Sequence, residues 1–264
     1  MDNIKALLST LLAHQPTLAI LVGVIGLVMG RFINIIAHRT PMTMMNQWWH
    51  EVMAFIQHDD RIDDTTKARL DSLHLHSYRA DSPTHSNHLI TAITALLSMM
   101  IAHHFGANTQ MLLALVFVWY LVALSCIDWQ VRLLPDRLLA PLGMIGLLAN
   151  TAALFTTPVL SIWGLVVGFM VFWGVNVLCR WFIHQDGLGL GDAKLLGVLG
   201  AWLGVSAIPI IVLIASLLGV MVGVLGRVFG GRHDSTLAFG PYLAIGGLIA
   251  MLFGEQFWAW YLMV

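Results

Sequence analysis

The amino-acid sequence predicts an all-α protein that crosses a membrane about eight times. Three observations support this prediction: the composition, the spacing of long apolar runs and a one-sided distribution of positive charge. Of the 264 residues, 58% are hydrophobic and only 10% are charged. Because a soluble domain carries about 25% charged residues, this chain has too few polar side chains to cover a water-facing surface. Lipid is the expected partner of that surface, and a net charge of −1 gives no support for nucleic-acid binding.

The apolar runs are long enough for transmembrane helices, which need about 20 residues each. A tract over 194–229 is too long for one span, and we divide it near Ile208, because Pro209 removes a helix hydrogen bond and Gly204 lies just before it. Residues 1–36 then hold the first span, 37–87 form a polar loop and 88–264 form a seven-helix domain. The eight predicted spans cover approximately 17–36, 88–105, 111–127, 138–156, 158–182, 194–208, 209–229 and 238–262.

Positive charge fixes the predicted direction of these spans. With the N-terminus outside, twelve of the thirteen Lys and Arg residues fall on one side of the membrane, and only Lys5 falls on the other. Lys and Arg accumulate on the cytoplasmic side of membrane proteins. This rule places Asp128, at the end of one apolar run, and Asp192, at the start of another, at the same cytoplasmic edge.

Ionisable groups at membrane depth are costly and usually belong to functional sites. If Asp128 and Asp192 meet, they share a proton, because two close carboxylates do not both ionise readily. The ionised member of such a pair activates water, and the protonated member donates to a carbonyl oxygen, which is the chemistry of peptide hydrolysis. Two alternatives remain open from the residues alone: helix capping at span ends, or proton carriage in a transporter.

Glycines precede the second aspartate in the tetrad Gly189-Leu190-Gly191-Asp192. Such glycines permit unusual dihedral angles and allow a substrate backbone to approach closely. We therefore count Gly189 and Gly191 as supporting residues of the predicted site.

Four segments of the sequence, taken together, resemble the type IV prepilin leader peptidases, a family of polytopic GxGD aspartic proteases. The four segments are Gly30 to Pro41, Ile127 to Asp136, Gly189 to Leu195 and Phe239 to Ala244. The resemblance implies a bacterial inner-membrane enzyme, with a periplasmic N-terminus, that uses Asp128 and Asp192 to cut the basic leader of prepilins or pseudopilins at the cytoplasmic face. It also implies possible methylation of the new N-terminus by S-adenosylmethionine.

The first loop departs from the family pattern. Many members carry two CxxC pairs there, whereas this chain has only Cys126 and Cys179, both outside the loop. Zinc is therefore not expected, and the loss puts methyltransferase activity in doubt more than peptidase activity. The loop histidines, which are an alternative set of zinc ligands or simply solvated side chains, are His74, His76, His85 and His88.

Two further charged residues lie within the matched segments. Asp136 either orients the site or caps the next helix, and Lys194 either tunes the carboxylates or extends to the membrane interface. The loop over 40–88 holds seven acidic and four basic residues, so a further hypothesis is that it attracts the basic leader, the alternative being a solvated face.

Overall fold

The computed structural model describes residues 15–57, 88–183, 189–228 and 238–262. Within these ranges the chain is almost entirely helical and contains no β-strand, which confirms the predicted all-α class. Each helix corresponds to one predicted span. The described helices are α1 (Gln15–Gln57), α2 (His88–Phe105), α3 (Thr109–Val131), α4 (Asp136–Thr151), α5 (Pro158–Ile183), α6 (Leu190–Leu203), α7 (Ala207–Val228) and α8 (Gly240–Leu262).

Six of these helices contain stretches long and apolar enough to cross a membrane, namely Pro16–Thr40 of α1, Pro158–Phe182 of α5, Gly240–Ala259 of α8, and α2, α3 and α7. The other two helices are shorter, with 16 residues in α4 and 14 in α6. At 1.5 Å per residue, α6 is only about 21 Å long, against a hydrocarbon core of about 30 Å.

Helix α6 lies at the centre of the helix packing in spite of its length. Its side chains are buried on nearly all sides, including Leu195, Leu196, Leu199 and Trp202, and it packs against α4, α5 and α8. A helix that is apolar all round is expected in a protein interior. Because Asp192 lies in the first turn of this helix, it is attached to the most enclosed part of the bundle.

Helices α5 and α6 approach each other at glycines. A Cβ atom on Gly164 would lie 2.1 Å from the carbonyl oxygen of Gly200, and a Cβ on Gly168 would lie 2.6 Å from that of Leu196. Small residues of this kind allow transmembrane helices to pack backbone against backbone. The contact fixes α6, and with it Asp192, against a long spanning helix.

Among the differences between the helix boundaries and the predicted spans, those at α6 and α1 have a clear physical reason or consequence. Helix α6 ends at Gly204, which has a φ of +82°, and α7 begins at Ala207, so Pro209 lies in the first turn of α7. Proline is tolerated there because the first amides of a helix have no partner within it. Helix α1 also continues to Gln57, into the predicted polar loop.

The end of the bundle remote from the aspartates is organised by Asn150, which is fully buried. Its Nδ2 donates to the carbonyl oxygens of Ala201 and Trp202, both at 2.9 Å. Its Oδ1 accepts from the backbone N–H groups of Phe155 and Thr156, both at 3.1 Å. One side chain thus satisfies terminal carbonyls of α6 and the turn that follows α4.

Candidate active site

Asp128 lies in the last two turns of α3 with only 4% of its surface exposed. The helix ends shortly after it, at Arg132, whose backbone adopts a left-handed conformation and donates an N–H to the Asp128 carbonyl oxygen at 2.8 Å. A buried carboxylate needs a hydrogen-bond donor, because burial without one is costly. Asp128 obtains that donor from a distant part of the chain.

The donor is the backbone N–H of Gly240, which lies 2.9 Å from Oδ2 of Asp128. Gly240 is the first residue of α8, so the partial positive charge of that helix end is directed at the carboxylate. The next residue, Pro241, has no N–H to offer. A Cβ atom on Gly240 would lie 2.7 Å from Oδ2 and 3.0 Å from Cγ of Asp128, so only glycine fits this position without displacement.

Asp192 occupies the third position of α6, after the N-cap residue Gly189. Its backbone N–H donates to the Gly189 carbonyl oxygen at 3.1 Å, while its carboxylate accepts the backbone N–H of Gly189. The carboxylate of Asp192 therefore supplies one half of a capping box, the bond from the third helical position back to the N-cap amide. The other half is absent because Gly189 has no side chain. This contact is the one that the capping alternative predicts for Asp192, and it leaves the rest of the carboxylate available for a second role.

The two carboxylates lie close enough for one to affect the titration of the other. Burial is the main cause that raises the pKa of Asp192 from 3.8 to about 7, and the negative charge of Asp128 is the second. The hydrogen bond from Gly189 opposes both by favouring the charged form. Asp192 precedes the apolar part of α6 and lies outside the six candidate spans.

Gly191 allows the two segments that carry the aspartates to pack together. A Cβ atom at this position would lie 3.1 Å from the Cβ of Leu134, in the turn between α3 and α4. The turn that follows Asp128 therefore packs directly on the turn that precedes Asp192. This contact explains why a residue without a side chain is needed at position 191, which the sequence pattern alone did not show.

Asp136 and Lys194 form an ion pair across the same junction. Nζ of Lys194 lies 2.7 Å from Oδ1 and 2.8 Å from Oδ2 of Asp136, with exposed fractions of 43% and 67% for the two side chains. The pair joins the first residue of α4 to the fifth residue of α6. Each of the two residues therefore has a partner that neither prediction had identified. Exposed ion pairs contribute little to stability, about 0–1 kcal/mol, which leaves alignment of the two turns as their main structural effect.

Several predicted residues lie outside the described ranges. These are the loop histidines His74, His76 and His85, and most of the acidic loop. Among the residues that the structure describes, no group of three or more His, Cys, Asp or Glu side chains is placed to hold a metal ion.

Gly240 is the site residue that the sequence reasoning did not identify. It lies in the segment Phe239 to Ala244, one of the four that resemble the family, but its contact with Asp128 joins positions 112 residues apart. A second feature also went unnoticed: Oδ1 of Asn34 and Nε2 of His38 are buried in α1 without a hydrogen-bond partner. The available signal for the role of Gly240 was the proline that follows it. Because Pro241 has no N–H, the amide of Gly240 is the remaining donor at that point of the helix start.

The fold and the site together define a polytopic helical membrane protein with a pair of carboxylates at one end of its bundle. The sequence model of the type IV leader peptidase family matches residues 115–224. A curated prepilin leader peptidase/N-methyltransferase from Pseudomonas putida is 35% identical over 276 residues, covering 95% of this chain and 96% of the relative. A protein of the same name from Stutzerimonas stutzeri is 33% identical, covering 95% of this chain and 96% of the relative. Another, from Pseudomonas aeruginosa, is also 33% identical and covers 97% of both chains. No solved structure matches this chain.

The chain belongs to the type IV leader peptidase family. The resemblance predicted from four sequence segments is thereby confirmed, and the chain is a membrane peptidase by class. The transporter alternative has no support from any of these relatives.

Proposed function

We propose that this chain removes the basic leader of type IV prepilins or pseudopilins, with Asp128 and Asp192 as a catalytic aspartic pair. The observation that carries the proposal is the packing of the turn after Asp128 on the turn before Asp192, where a Cβ on Gly191 would lie 3.1 Å from the Cβ of Leu134. Burial, and then the charge of Asp128, raise the pKa of Asp192 to about 7, as expected for two neighbouring carboxylates. Relatives that align over nearly the whole chain are named for prepilin leader cleavage.

In the proposed mechanism one proton is shared between the two carboxylates, and it belongs to the pair rather than to either residue. The ionised carboxylate takes a proton from a water molecule, and the water oxygen attacks the carbonyl carbon of the scissile peptide. The protonated carboxyl donates its proton to the carbonyl oxygen. The tetrahedral intermediate then collapses: one of its hydroxyls returns a proton to the pair as the new carbonyl forms, the peptide C–N bond breaks, and the leaving amine takes up a proton from the pair, which is left with one proton as before.

We further propose that the active site faces the cytoplasm of a bacterial inner membrane, with the N-terminus in the periplasm. The positions of twelve of the thirteen Lys and Arg residues support this orientation. Gly189, Gly191, Asp136 and Lys194 are proposed to hold the two catalytic turns in place. The division into residues 1–36, 37–87 and 88–264 is likewise proposed as the functional organisation.

Methylation of the new N-terminus is the second activity that we propose, because the relatives are also named N-methyltransferases. The methyl donor would be S-adenosylmethionine, which supplies the methyl group when bound. Asn34 and His38 are described residues that fit an amine ligand: they lie four residues apart on α1, hence on one face, and each has a buried polar atom without a partner. Binding of labelled S-adenosylmethionine to wild-type protein and to Asn34→Leu, without any precursor, tests this part.

The experiment for cleavage compares wild type with Asp128→Asn and Asp192→Asn, each co-expressed with a Pseudomonas aeruginosa prepilin. Leader loss is followed by gel mobility, and the mature N-terminus is examined by mass spectrometry. Each variant is expected to reduce cleavage at least about 1000-fold while inserting normally, because the pair needs both members. The matched control is Glu255→Gln. It neutralises an exposed acidic residue of α8 that lines a pocket at the other end of the bundle. Cleavage by either aspartate variant at the control rate would contradict the proposal.

A further inference from the structure

An apolar groove of about 250 Å³ lies over α3, between α2 and α8. Helices α2 and α8 both pack on α3 but make almost no contact with each other, so the groove opens sideways between them. Twelve residues line it, and apart from Ser125 and Cys126 all of their side chains are aliphatic. This groove is therefore a surface for an apolar segment.

One end of the groove adjoins Asp128. Leu121 and Ser125 line the groove, and Asp128 follows them by seven and three residues, spacings that place all three on one face of α3. On the opposite wall, Pro241 lines the groove directly after Gly240, whose N–H binds the Asp128 carboxylate. The groove is thus continuous with the aspartate site.

From that end the groove follows α3 back into the membrane-spanning segment. Its lining runs from Cys126 to Val118 on α3 and from Pro241 to Leu248 on α8. Eight residues of helix correspond to about 12 Å, or about two turns. A polypeptide that leaves the aspartate site in this direction enters hydrocarbon, where the backbone must be helical and the side chains apolar.

A second groove, of about 600 Å³, lies between α4, α5 and α6. Its lining includes both members of the Asp136–Lys194 ion pair and no residue of α3 or α8. It therefore lacks continuity with Asp128 and with the Gly240 amide. These differences favour the groove over α3 as the path of the substrate.

We propose that the groove between α2, α3 and α8 binds the apolar helical segment of the precursor that follows the scissile bond, with its first turn beside Cys126. This inference rests on the proposed function, and it specifies how the substrate reaches the site. A lipid chain in the same groove is the competing occupant, since the groove opens towards the bilayer.

Cysteine cross-linking tests the proposal directly, because Cys126 is itself a lining residue. The variant Cys179→Ser retains only Cys126, and the variant Cys126→Ser retains only Cys179. Cys179 lies in the C-terminal part of α5 and does not line the groove. Single cysteines are placed along the first sixteen or so residues after the scissile bond of a Pseudomonas aeruginosa prepilin. Membranes holding both proteins are then oxidised with a copper–phenanthroline complex. The Asp192→Asn substitution is added to keep the precursor intact.

We expect Cys126 to cross-link with precursor cysteines in the first turn after the scissile bond, at least about tenfold more than Cys179 does. A protein whose only cysteine comes from Val118→Cys should cross-link about eight residues further along the precursor, since about 12 Å separates the two positions at 1.5 Å per residue. This shift in register distinguishes a docked helix from random collision.

Cleavage measured in the same membranes with intact aspartates separates the possible failures. Absence of leader loss would overturn the proposed function. Leader loss without cross-links to Cys126, or with no shift between Cys126 and Val118→Cys, would overturn the groove and leave lipid as its occupant. Cross-links to Met144→Cys instead would identify the groove between α4, α5 and α6.

A groove-filling pair of variants gives an independent measurement. Ala244→Phe fills the proposed groove, and Ala140→Phe fills the other one. We expect Ala244→Phe to raise KM for the precursor at least about tenfold, with little change for Ala140→Phe. The opposite pattern, or equal KM values in the two variants, would also reject the proposed groove.

Discussion

Replacing Gly240 with alanine tests the link between the last helix and the first aspartate. The added Cβ would lie 2.7 Å from Oδ2 of Asp128, whereas ordinary contact begins at 3.4 Å. Relief of the clash needs a displacement of about 0.7 Å, which stretches the 2.9 Å hydrogen bond from the Gly240 amide to about 3.6 Å, beyond hydrogen-bond range. A hydrogen bond to a charged group is worth about 1.5–3 kcal/mol.

That loss corresponds to a reduction in the rate of cleavage of about 10- to 100-fold, at 1.4 kcal/mol per factor of ten. The assay is the initial rate of leader removal from a prepilin, with thermal unfolding measured on the same preparations. Gly254→Ala is the matched control, because Gly254 lies in the same helix and a Cβ there would meet nothing within 4 Å. Wild-type cleavage by Gly240→Ala would refute the assignment of this amide to the site.

Four further predictions concern the pH dependence of the rate, the pH dependence of stability, the alignment of the two turns, and folding. Burial and the charge of Asp128 raise the pKa of Asp192 to about 7, so the singly protonated pair is lost as the pH rises through that value. The value of kcat/KM should therefore fall above pH 7. A rate that stays constant to pH 9 would contradict this. The same shift destabilises the fold as the pH rises from 3.8 to 7, so Asp192→Asn should raise Tm at pH 8 and not at pH 3.5, as measured by thermal unfolding. Lys194→Met should slow cleavage several-fold with little change in Tm, since its partner Asp136 is exposed. The double variant Lys194→Asp with Asp136→Lys should restore the rate of cleavage. If it does not, the ion pair does not act by aligning the two turns. Asn150→Ala leaves buried polar groups unpaired and should lower the free energy of unfolding by about 2–4 kcal/mol. Asn150→Gln is the milder comparison. An unchanged denaturation midpoint would exclude a stabilising role for Asn150.

Much of this fold could be predicted from local sequence, because a helix that crosses a bilayer requires a long apolar run. The exact break between α6 and α7 could not, since a proline is compatible with the first turn of a helix and Gly204, with its positive φ, is the residue that ends one. The candidate site was predicted from Asp128 and Asp192, which are chemically conspicuous. Their backbone donors were only partly accessible, because the amide of Gly240 is 112 residues from Asp128 in sequence and no local pattern encodes that contact.

Helix capping and the proposed catalysis involve the same two carboxylates. The carboxylate of Asp192 closes the start of α6 through the Gly189 amide, and that of Asp128 closes the start of α8 through the Gly240 amide. Both side chains are thus positioned by backbone donors at helix starts, which move less than side-chain donors. An asparagine oxygen accepts the same N–H groups, so an Asp→Asn variant retains the caps and loses only the ability to hold and release a proton. Alanine at either position would remove cap and proton together, and asparagine therefore isolates the chemistry from the fold.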